Sequence, residues 1–143
     1  MKTVEDILQR KGNRVYSVAP ECTVYDALVL FAEKGIGAVL VLAGERLAGI
    51  FSERDYARQV VLKGRTSREL AISQVMTHEV VCVQPTTTID ECMALMTERR
   101  CRHLPVVVDG RVRGLLSIGD VVKAILLEKD FHIGQLEAYI TQG

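Results

Sequence analysis

The sequence contains no tryptophan, and only three phenylalanines and four tyrosines among its 143 residues. Proteins that bind single-stranded nucleic acid stack bases on aromatic side chains, so this scarcity argues against that function. Lysine and arginine together number 18, and so do aspartate and glutamate, which gives a formal net charge of +0. Because neither sign is in excess, the chain has no overall field to recruit nucleic acid or an anionic membrane. We expect neither as a partner.

Long apolar runs and paired cysteines are also missing. The run from Ile36 to Ala43 is far shorter than the roughly 20 residues that a membrane-spanning helix needs. The first twelve residues are charged and lack the apolar segment of a signal peptide. Four cysteines lie in apolar contexts without paired spacing, which is typical of buried thiols in a reducing compartment: Cys22, Cys82, Cys92 and Cys101. We therefore expect a cytoplasmic protein.

The sequence does contain an internal repeat. The heptapeptide GIFSERD at positions 49–55 returns 65 residues later as GLLSIGD at positions 114–120. The same offset, without a gap, matches turns, helix caps and apolar positions along the rest of the chain. The identical pairs include Val15 and Val80, Val18 and Val83, Pro20 and Pro85, Thr23 and Thr88, Leu30 and Leu95, Val41 and Val106, Arg46 and Arg111, Gly49 and Gly114, Ser52 and Ser117, and Asp55 and Asp120.

Each copy is predicted to fold as β-α-β-β-α. In the first copy, 15–18 alternates as a strand, and 38–42 and 47–51 read as buried strands around a turn at 43–46. The first helix has apolar residues at i, i+3, i+4 and i+7 in both copies: Val24, Ala27, Leu28 and Phe31, then Ile89, Cys92, Met93 and Met96. A second helix begins at Ser52, and we expect Val60, Val61 and Leu62 on its apolar side.

Three segments flank the copies. Thr3, Glu5, Asp6 and Gly12 predict a short capped helix at the start of the chain. Residues 66–69 fit a capping box for a short helix, and the segment through Met76 takes in the second copy the place of this first helix. Residues 131–140 predict a terminal helix with an apolar stripe. The resulting division is one module, 1–143, with repeats at about 11–65 and 76–130, flanked by helices in 1–10 and 131–143.

A small sheet covered by helices on one side cannot hide its other side alone. Two such units can close face to face about a pseudo-twofold axis, which leaves two symmetric clefts between them. The fold class predicted is therefore α+β.

The repeat, the junction Gly-x-x-Ser-x-x-Asp, the segment RHLPVVVD at 102–109 and the linker VMT at 75–77 resemble the cystathionine β-synthase (CBS) domain. Two copies in tandem are similar to a Bateman module. The resemblance spans about residues 1–128. It implies a regulatory module that binds adenine nucleotides (AMP, ADP, ATP or NAD(H)) in the clefts, and that pairs into disk-like homodimers.

Under this resemblance each aspartate of the duplicated junction would accept the two ribose hydroxyls, and each serine would mark a helix start that favours phosphate. Basic residues entering the second hairpin would meet phosphates. The main cleft is expected to comprise Asp120, Ser117, Gly119, Arg102 and His103 with Tyr16, Ile36, Gly37 and Ala38. The second cleft is expected to comprise Asp55, Ser52 and Arg54 with Thr77, Val81 and Cys101. Whether Arg102 and His103 instead reach across the axis stays open.

Other interpretations of the same residues exist. Ser-x-x-Asp after a strand also fits a helix capping box, and the arginines near 99–102 also fit a solvated helix end. Cys101, His103 and Cys92 could ligate zinc, but no Cys-x-x-Cys pair accompanies them, and we expect no metal. A thiol switch at Cys101 depends on its exposure and pKa.

We expect no enzyme, because no nucleophile–base pair, metal constellation or phosphate-binding loop is readable. The favoured function is a nucleotide sensor that needs no cofactor and signals to a separate effector protein by a change of conformation. The alternative is a structural dimerisation module with vestigial clefts.

Overall fold

The computed structural model describes residues 2–129, and these contain five helices and two small sheets. The elements in chain order are helix α1 (Val4–Lys11), strand β1 (Ser17–Val18), helix α2 (Val24–Lys34), strands β2 (Ala38–Ala43) and β3 (Arg46–Ser52), helix α3 (Glu53–Asp55) continued by a π-helix (Tyr56–Val61), a 3₁₀-helix (Ile72–Gln74), helix α4 (Ile89–Arg99), strands β4 (His103–Val108) and β5 (Arg111–Ser117), and helix α5, which covers 118–129 within the described range.

The 65-residue offset is confirmed by the strand register. Strand β2 pairs antiparallel with β3, with Ala38 opposite Ser52, and β4 pairs antiparallel with β5, with His103 opposite Ser117. Each hairpin has one register shift, and the two shifts are themselves 65 residues apart, after Val41 and after Val106. The two hairpins therefore have the same structure, including the register shift.

The edge strand is better formed in the first half. There β1 pairs parallel with β2, and Val18 lies opposite Val41. In the second half the matching pair, Val83 and Val106, forms only an isolated parallel bridge. The strand expected over 15–18 is confirmed but reduced to two residues.

The first helix of each half begins and ends alike. Thr23 accepts a hydrogen bond from the N–H of Asp26, and Thr88 accepts one from the N–H of Glu91, so each threonine caps its helix. Both helices end on a left-handed residue, Gly35 at φ 63° and Arg100 at φ 53°. Glycine adopts this conformation at little cost, whereas arginine does so rarely.

Each half has its own core, and the predicted helix stripes lie in them. In the first half the stripe of α2 buries Val24, Ala27 and Phe31, with Leu28 partly buried. In the second half α4 buries Ile89, Cys92 and Met96, with Met93 partly buried.

The two flanking segments cross between the halves. Helix α1, although first in the chain, packs Val4, Ile7 and Leu8 into the core of the second half. The segment before the second repeat packs Ile72, Val75 and Met76 into the core of the first half. This exchange ties the halves together and confirms that the linker takes the place of the first helix.

The flanking segments match each other at an offset of 68 rather than 65. Thr3 bridges to Thr88, and Ala71 bridges to Thr23. The amide of Val4 donates to the carbonyl of Thr87 (2.9 Å), and the amide of Ile72 donates to the carbonyl of Cys22 (2.7 Å). Three additional residues therefore separate α1 from the first repeat.

Three local predictions were wrong. Val61 is 53% exposed and Leu62 is 79% exposed, whereas Val60 is buried as expected. The three residues are consecutive, so their side chains point in different directions around the π-helix at 56–61 and its end, and only Val60 reaches the core. Residues 66–69 form no helix, and the short 3₁₀-helix begins at Ile72 instead.

The expectation of four buried thiols was also wrong. Cys92 is buried, Cys22 and Cys101 are partly buried, and Cys82 is exposed. The predicted terminal helix at 131–140 lies outside the described residues, and the domain boundaries given above stay predictions.

Candidate functional site

Both junctions form complete capping boxes. The N–H of Asp55 donates to Oγ of Ser52 (3.3 Å), and the N–H of Ser52 donates to Oδ2 of Asp55 (2.9 Å). In the second half the N–H of Asp120 donates to Oγ of Ser117 (3.2 Å), and the N–H of Ser117 donates to Oδ2 of Asp120 (2.8 Å). Capping thus fixes the orientation of both aspartates.

The two aspartates differ in their other partner. The hydroxyl of Thr77 donates to Oδ1 of Asp55 at 3.1 Å, which is a neutral contact. Oδ2 of Asp120 instead accepts a hydrogen bond from Nζ of Lys11 at 2.6 Å, and the same ammonium group donates to the carbonyl of Leu115 at 2.7 Å. The carboxylate of Asp120 is therefore paired with a positively charged side chain, that of Lys11.

Asp55 lies on a cavity of about 450 Å³, which we term the Asp55 cavity. All six residues expected for the second cleft line it. So do five arginines, one of which, Arg54, donates from Nη1 to the carbonyl of Arg100 at 3.3 Å. The charged lining comprises Arg54, Arg58, Arg99, Arg100 and Arg102 against Glu53, Asp55 and Glu79.

A second cavity of about 410 Å³, which we term the Tyr16 cavity, has a largely apolar wall. Its lining comprises Val15, Tyr16, Gly35, Ile36, Gly37, Ala38 and Leu115, with the polar residues Lys11, Arg14, His103 and Ser117. Gly37 and His103 line this cavity and the Asp55 cavity alike, so the two adjoin.

Lys11 separates the Tyr16 cavity from a third space. This outer cavity, of about 490 Å³, lies between α1 and α5 and is lined by Asp120, Lys123 and Lys11 among others. Lys11 lines both cavities, whereas Asp120 lines only the outer one. The ammonium group of Lys11 therefore stands between Asp120 and the apolar wall around Tyr16.

The charges of this cluster shift two pKa values. Burial acts to raise the pKa of Asp120, but hydrogen bonds from Lys11 and Ser117 and the charge of Lys11 lower it below its ordinary value. Burial lowers the pKa of His103, and the positive charge of Lys11 lowers it further, against an opposing effect of Asp120. His103 is therefore neutral near pH 7 and has one N–H to donate.

Burial raises the pKa of each of the four cysteines, and that of Cys92 to about 11. Cys101 faces the Asp55 cavity, but its raised pKa disfavours the reactive thiolate. No group of three or more His, Cys, Asp or Glu side chains within residues 2–129 is arranged to hold a metal ion.

The structure distributes eight of the nine residues of the expected main cleft over the three cavities. Six of the nine line the Tyr16 cavity: Tyr16, Ile36, Gly37, Ala38, His103 and Ser117. Asp120 lies behind Lys11 and lines the outer cavity. Arg102 lines the Asp55 cavity, so it reaches across as the sequence left open. Gly119 is exposed in the first turn of α5 and lines none of the three cavities described here.

Sequence reasoning missed Lys11 and Arg14 in the Tyr16 cavity. Lys11 ends α1 and Arg14 follows it, and the residues 65 positions later are Met76 and Glu79, so the duplication marked neither of them. The available signal was the apolar stripe of α1, which matches Ile72, Val75 and Met76 and so predicts docking beside the second junction.

Comparison with known proteins agrees with the duplicated architecture. The sequence profile of the CBS domain matches residues 4–62 and 72–127. A CBS domain-containing protein of Arabidopsis thaliana, CBSX3, described as mitochondrial, is 38% identical over 150 residues, which span 99% of this chain and 73% of that one. A structure of a protein with CBS domains from Burkholderia ambifaria is 50% identical, with a TM-score of 0.85 over 88% of this chain and 95% of that one.

The chain therefore belongs to the CBS domain family, and it carries two CBS domains in tandem. Paired CBS domains of this kind are regulatory modules. The structure of CBSX2 in complex with AMP is also similar, with 28% identity and a TM-score of 0.71 over 90% of this chain and 99% of that one.

Among residues 2–129, no helix is both long enough and apolar enough to cross a membrane.

Proposed function

We propose that this protein is a regulatory module that binds an adenine nucleotide in the Tyr16 cavity. The main support for the proposal is that this cavity has an apolar wall from the first half and a polar wall from the second half. Tyr16, Ile36 and Ala38 supply the first wall, and His103 and Ser117 supply the second. Its volume of about 410 Å³ lies in the usual range of small-molecule sites, about 300–1,000 Å³.

The apolar wall suits a nucleobase. The ring of Tyr16 is partly buried and has Nζ of Lys34 at 5.8 Å from its centroid, so one face is already occupied by a cation. Ala38 begins strand β2 and is 4% exposed, and Ile36 packs on the core of the first half. A flat base between these side chains would remove apolar surface from water at no cost in buried charge.

The polar wall suits a sugar phosphate. A carboxylate can accept from both ribose hydroxyls, and Asp120 is the carboxylate next to this wall. Arg14 and the neutral imidazole of His103 are available to a phosphate, since guanidinium binds phosphate in a bidentate manner. Because the site takes residues from both halves, an occupied site would favour one relative packing of the halves.

The Asp55 cavity is proposed as a second subsite, which would bind an anionic ligand. Its five arginines against three acidic residues leave a formal charge of +2 with His103 neutral. The positions that match Arg100 and Arg102 in the first half are Gly35 and Gly37, which carry no charge. The two sites are therefore unequal in their arginines, since five line the Asp55 cavity and only Arg14 lines the Tyr16 cavity, and guanidinium groups bind phosphate in a bidentate manner.

The similarity to CBSX2 supports this function, because that protein was obtained in complex with AMP. The ligand of the present chain is proposed from the same group that the sequence favoured: AMP, ADP, ATP or NAD(H). The output is proposed to be a change in the packing of the two halves that a separate effector protein recognises.

A homodimer is proposed as the form in which the module works. Helix α5 leaves an apolar stripe at i, i+4 and i+8 exposed: Ile118 is 41%, Val122 is 40% and Leu126 is 55% exposed. Such a stripe is typical of a helix face that packs on another surface. This observation also favours the second candidate function, a dimerisation module whose cavities bind nothing.

Isothermal titration calorimetry with AMP, ADP, ATP and NAD separates the two candidates. We expect saturable heat with at least one nucleotide and a loss of affinity of about tenfold or more in Ser117→Ala/Asp120→Ala, since charge-assisted hydrogen bonds to the ribose are removed. Glu45→Ala is the control, because Glu45 is exposed in the turn between β2 and β3, lines none of the three cavities and pairs with Arg111 at the start of β5. Absence of heat with all four nucleotides would overturn the sensor function in favour of dimerisation alone.

A further inference from the structure

Lys11 is held in a fixed position by the packing of α1. It occupies the last turn of that helix, whose Val4, Ile7 and Leu8 are at most 6% exposed in the core of the second half. Its Nζ donates to Oδ2 of Asp120 at 2.6 Å and to the carbonyl of Leu115 at 2.7 Å. The two side chains are 33% and 23% exposed, so this ion pair is partly shielded from water.

Within residues 2–129, no lysine or arginine pairs with Asp55 as Lys11 pairs with Asp120. The flanking segments correspond through Leu8 and Met76, and the next residue after Met76, Thr77, donates its hydroxyl to Asp55 at 3.1 Å. Lys11 belongs to the extra residues that follow α1's apolar stripe. The charge at Asp120 is therefore a specific feature of the second junction and not a property of the repeat.

The position of Lys11 controls access to Asp120. Lys11 lines the Tyr16 cavity, and Asp120 is reached only behind it, in the outer cavity. Lys11 and the N–H of Ser117 both bond Oδ2, and Asp120 does not line the Tyr16 cavity, so a ribose in that cavity reaches the carboxylate through the place that the ammonium group occupies, and the ammonium group has to move aside. That movement breaks a charge-assisted hydrogen bond, which costs more than a neutral one.

We infer that Lys11 makes the Tyr16 cavity selective for phosphorylated ligands over the corresponding nucleoside. A neutral nucleoside displaces Lys11 and leaves its charge without a partner inside a partly shielded site. A nucleotide offers the displaced ammonium group a phosphate oxygen, which replaces the lost carboxylate. This role rests on the nucleotide-binding function proposed above and adds the residue that sets its charge requirement.

The same contact connects the ligand to α1. When Lys11 leaves Asp120, the last turn of α1 loses its polar attachments to α5 and to the carbonyl of Leu115. Since α1 precedes the first half but packs on the second, the bound ligand acts on a segment that joins both halves. The exchange of partners by Lys11 is thus a physical means by which phosphate binding is transmitted.

The test compares AMP with adenosine by titration calorimetry in wild type and Lys11→Met. Methionine keeps the unbranched stem but removes the charge. We expect the wild type to prefer AMP, and this preference to fall by about tenfold or more in the variant, the size of one charge-assisted hydrogen bond. The ratio of the two affinities cancels any effect on folding, because both ligands share the adenosine group.

Two further variants control for charge and helix packing. Lys123→Met removes an equal charge from the outer cavity without touching the Lys11–Asp120 pair, and Lys11→Arg keeps the cation. Both are expected to retain the wild-type preference. An equal preference in Lys11→Met and Lys123→Met would overturn the role of Lys11 while leaving nucleotide binding in place. Absence of binding by AMP and adenosine alike would overturn the proposed function, and this inference with it.

Discussion

The side chain of Leu8 lies directly against the α-carbon of Gly114. A β-carbon added to Gly114 would come within 2.6 Å of Cδ2 of Leu8, which is 2% exposed and cannot move aside freely. The first half has the same relationship at Gly49, where an added β-carbon would meet both Sδ of Met76 and the carbonyl oxygen of Thr77 at 2.7 Å. Glycine is needed at both positions so that the crossed flanking segments can dock on the hairpins.

We therefore predict that Gly114→Ala lowers the free energy of unfolding by about 1–3 kcal/mol, the usual cost of overpacking a core. Gly49→Ala is expected to cost more, since backbone at Thr77 yields less than the end of a leucine side chain. Urea denaturation at pH 7 measures both values.

Gly119→Ala is the matched control for these glycines. A β-carbon there meets only Oγ of Ser117 at 3.6 Å, which is an ordinary contact, and the residue lies in the first turn of α5. Alanine in a helix is expected to leave stability unchanged or slightly higher. A loss in Gly119→Ala as large as that in Gly114→Ala would show that the close approach of Leu8 is not the cause.

The Lys11–Asp120 pair predicts how stability depends on acid. The folded-state pKa of Asp120 is lowered, so its contribution is complete above the unfolded value near 3.8 and is lost as the pH falls through the folded value. Wild-type stability should therefore decrease more steeply below about pH 4 than the stability of Asp120→Asn, which has no proton to take up. Chemical denaturation between pH 2.5 and 6 measures the two slopes, and parallel curves would contradict the prediction.

His103 predicts a second, milder dependence. Burial and the positive charge of Lys11 lower its folded-state pKa below the ordinary value of 6.5. The unfolded state then binds the proton more readily, so protonation of His103 destabilises the fold as the pH falls below about 6.5. The NMR titration of its ring protons should show a lowered pKa in wild type and a higher one in Lys11→Met, because one repelling charge is gone. An unchanged pKa in the variant would show that Lys11 does not act on His103.

The duplicated core was predictable because its signals are local. Thr23 and Thr88 cap helices, Ser52 and Ser117 form capping boxes with the aspartates three residues later, and the helix stripes repeat at fixed spacing. Each of these features acts within a few residues of its own position in the chain. An offset of 65 therefore predicted the two hairpins and the two first helices of the repeats correctly.

The remaining features depend on contacts between distant segments. The correspondence of α1 with 71–76 is carried by backbone hydrogen bonds and apolar packing, in which Thr3 matches Ala71 and Leu8 matches Met76. These pairs share no identity, and they follow an offset of 68. Lys11 contacts Asp120 across 109 positions, so neither repeat spacing nor local patterning indicates it.

The exposed stripe of α5 predicts the oligomeric state. Leu126→Glu places a charge in a face that we propose to be buried between two copies, and an unpaired buried charge is costly. We expect the wild type to be dimeric and the variant monomeric by size-exclusion chromatography with light scattering. Tyr25→Glu is the control, because Tyr25 is also an exposed apolar side chain, at 41% against 55% for Leu126, but lies on α2 beside Arg68. A monomeric wild type, or a dimeric Leu126→Glu, would contradict the prediction.

We propose above that an adenine nucleotide binds between the two halves, at the Tyr16 cavity. The most direct measurement is a titration of ¹⁵N-labelled protein with AMP, followed by two-dimensional NMR. We expect saturable chemical-shift changes at the amides of Tyr16, Ala38 and Leu115, which line this cavity from both halves. We expect little change at the amides of Gly44 and Gly110 in the hairpin turns. Saturable shifts that leave those three amides unchanged, or no shifts at all, would contradict it.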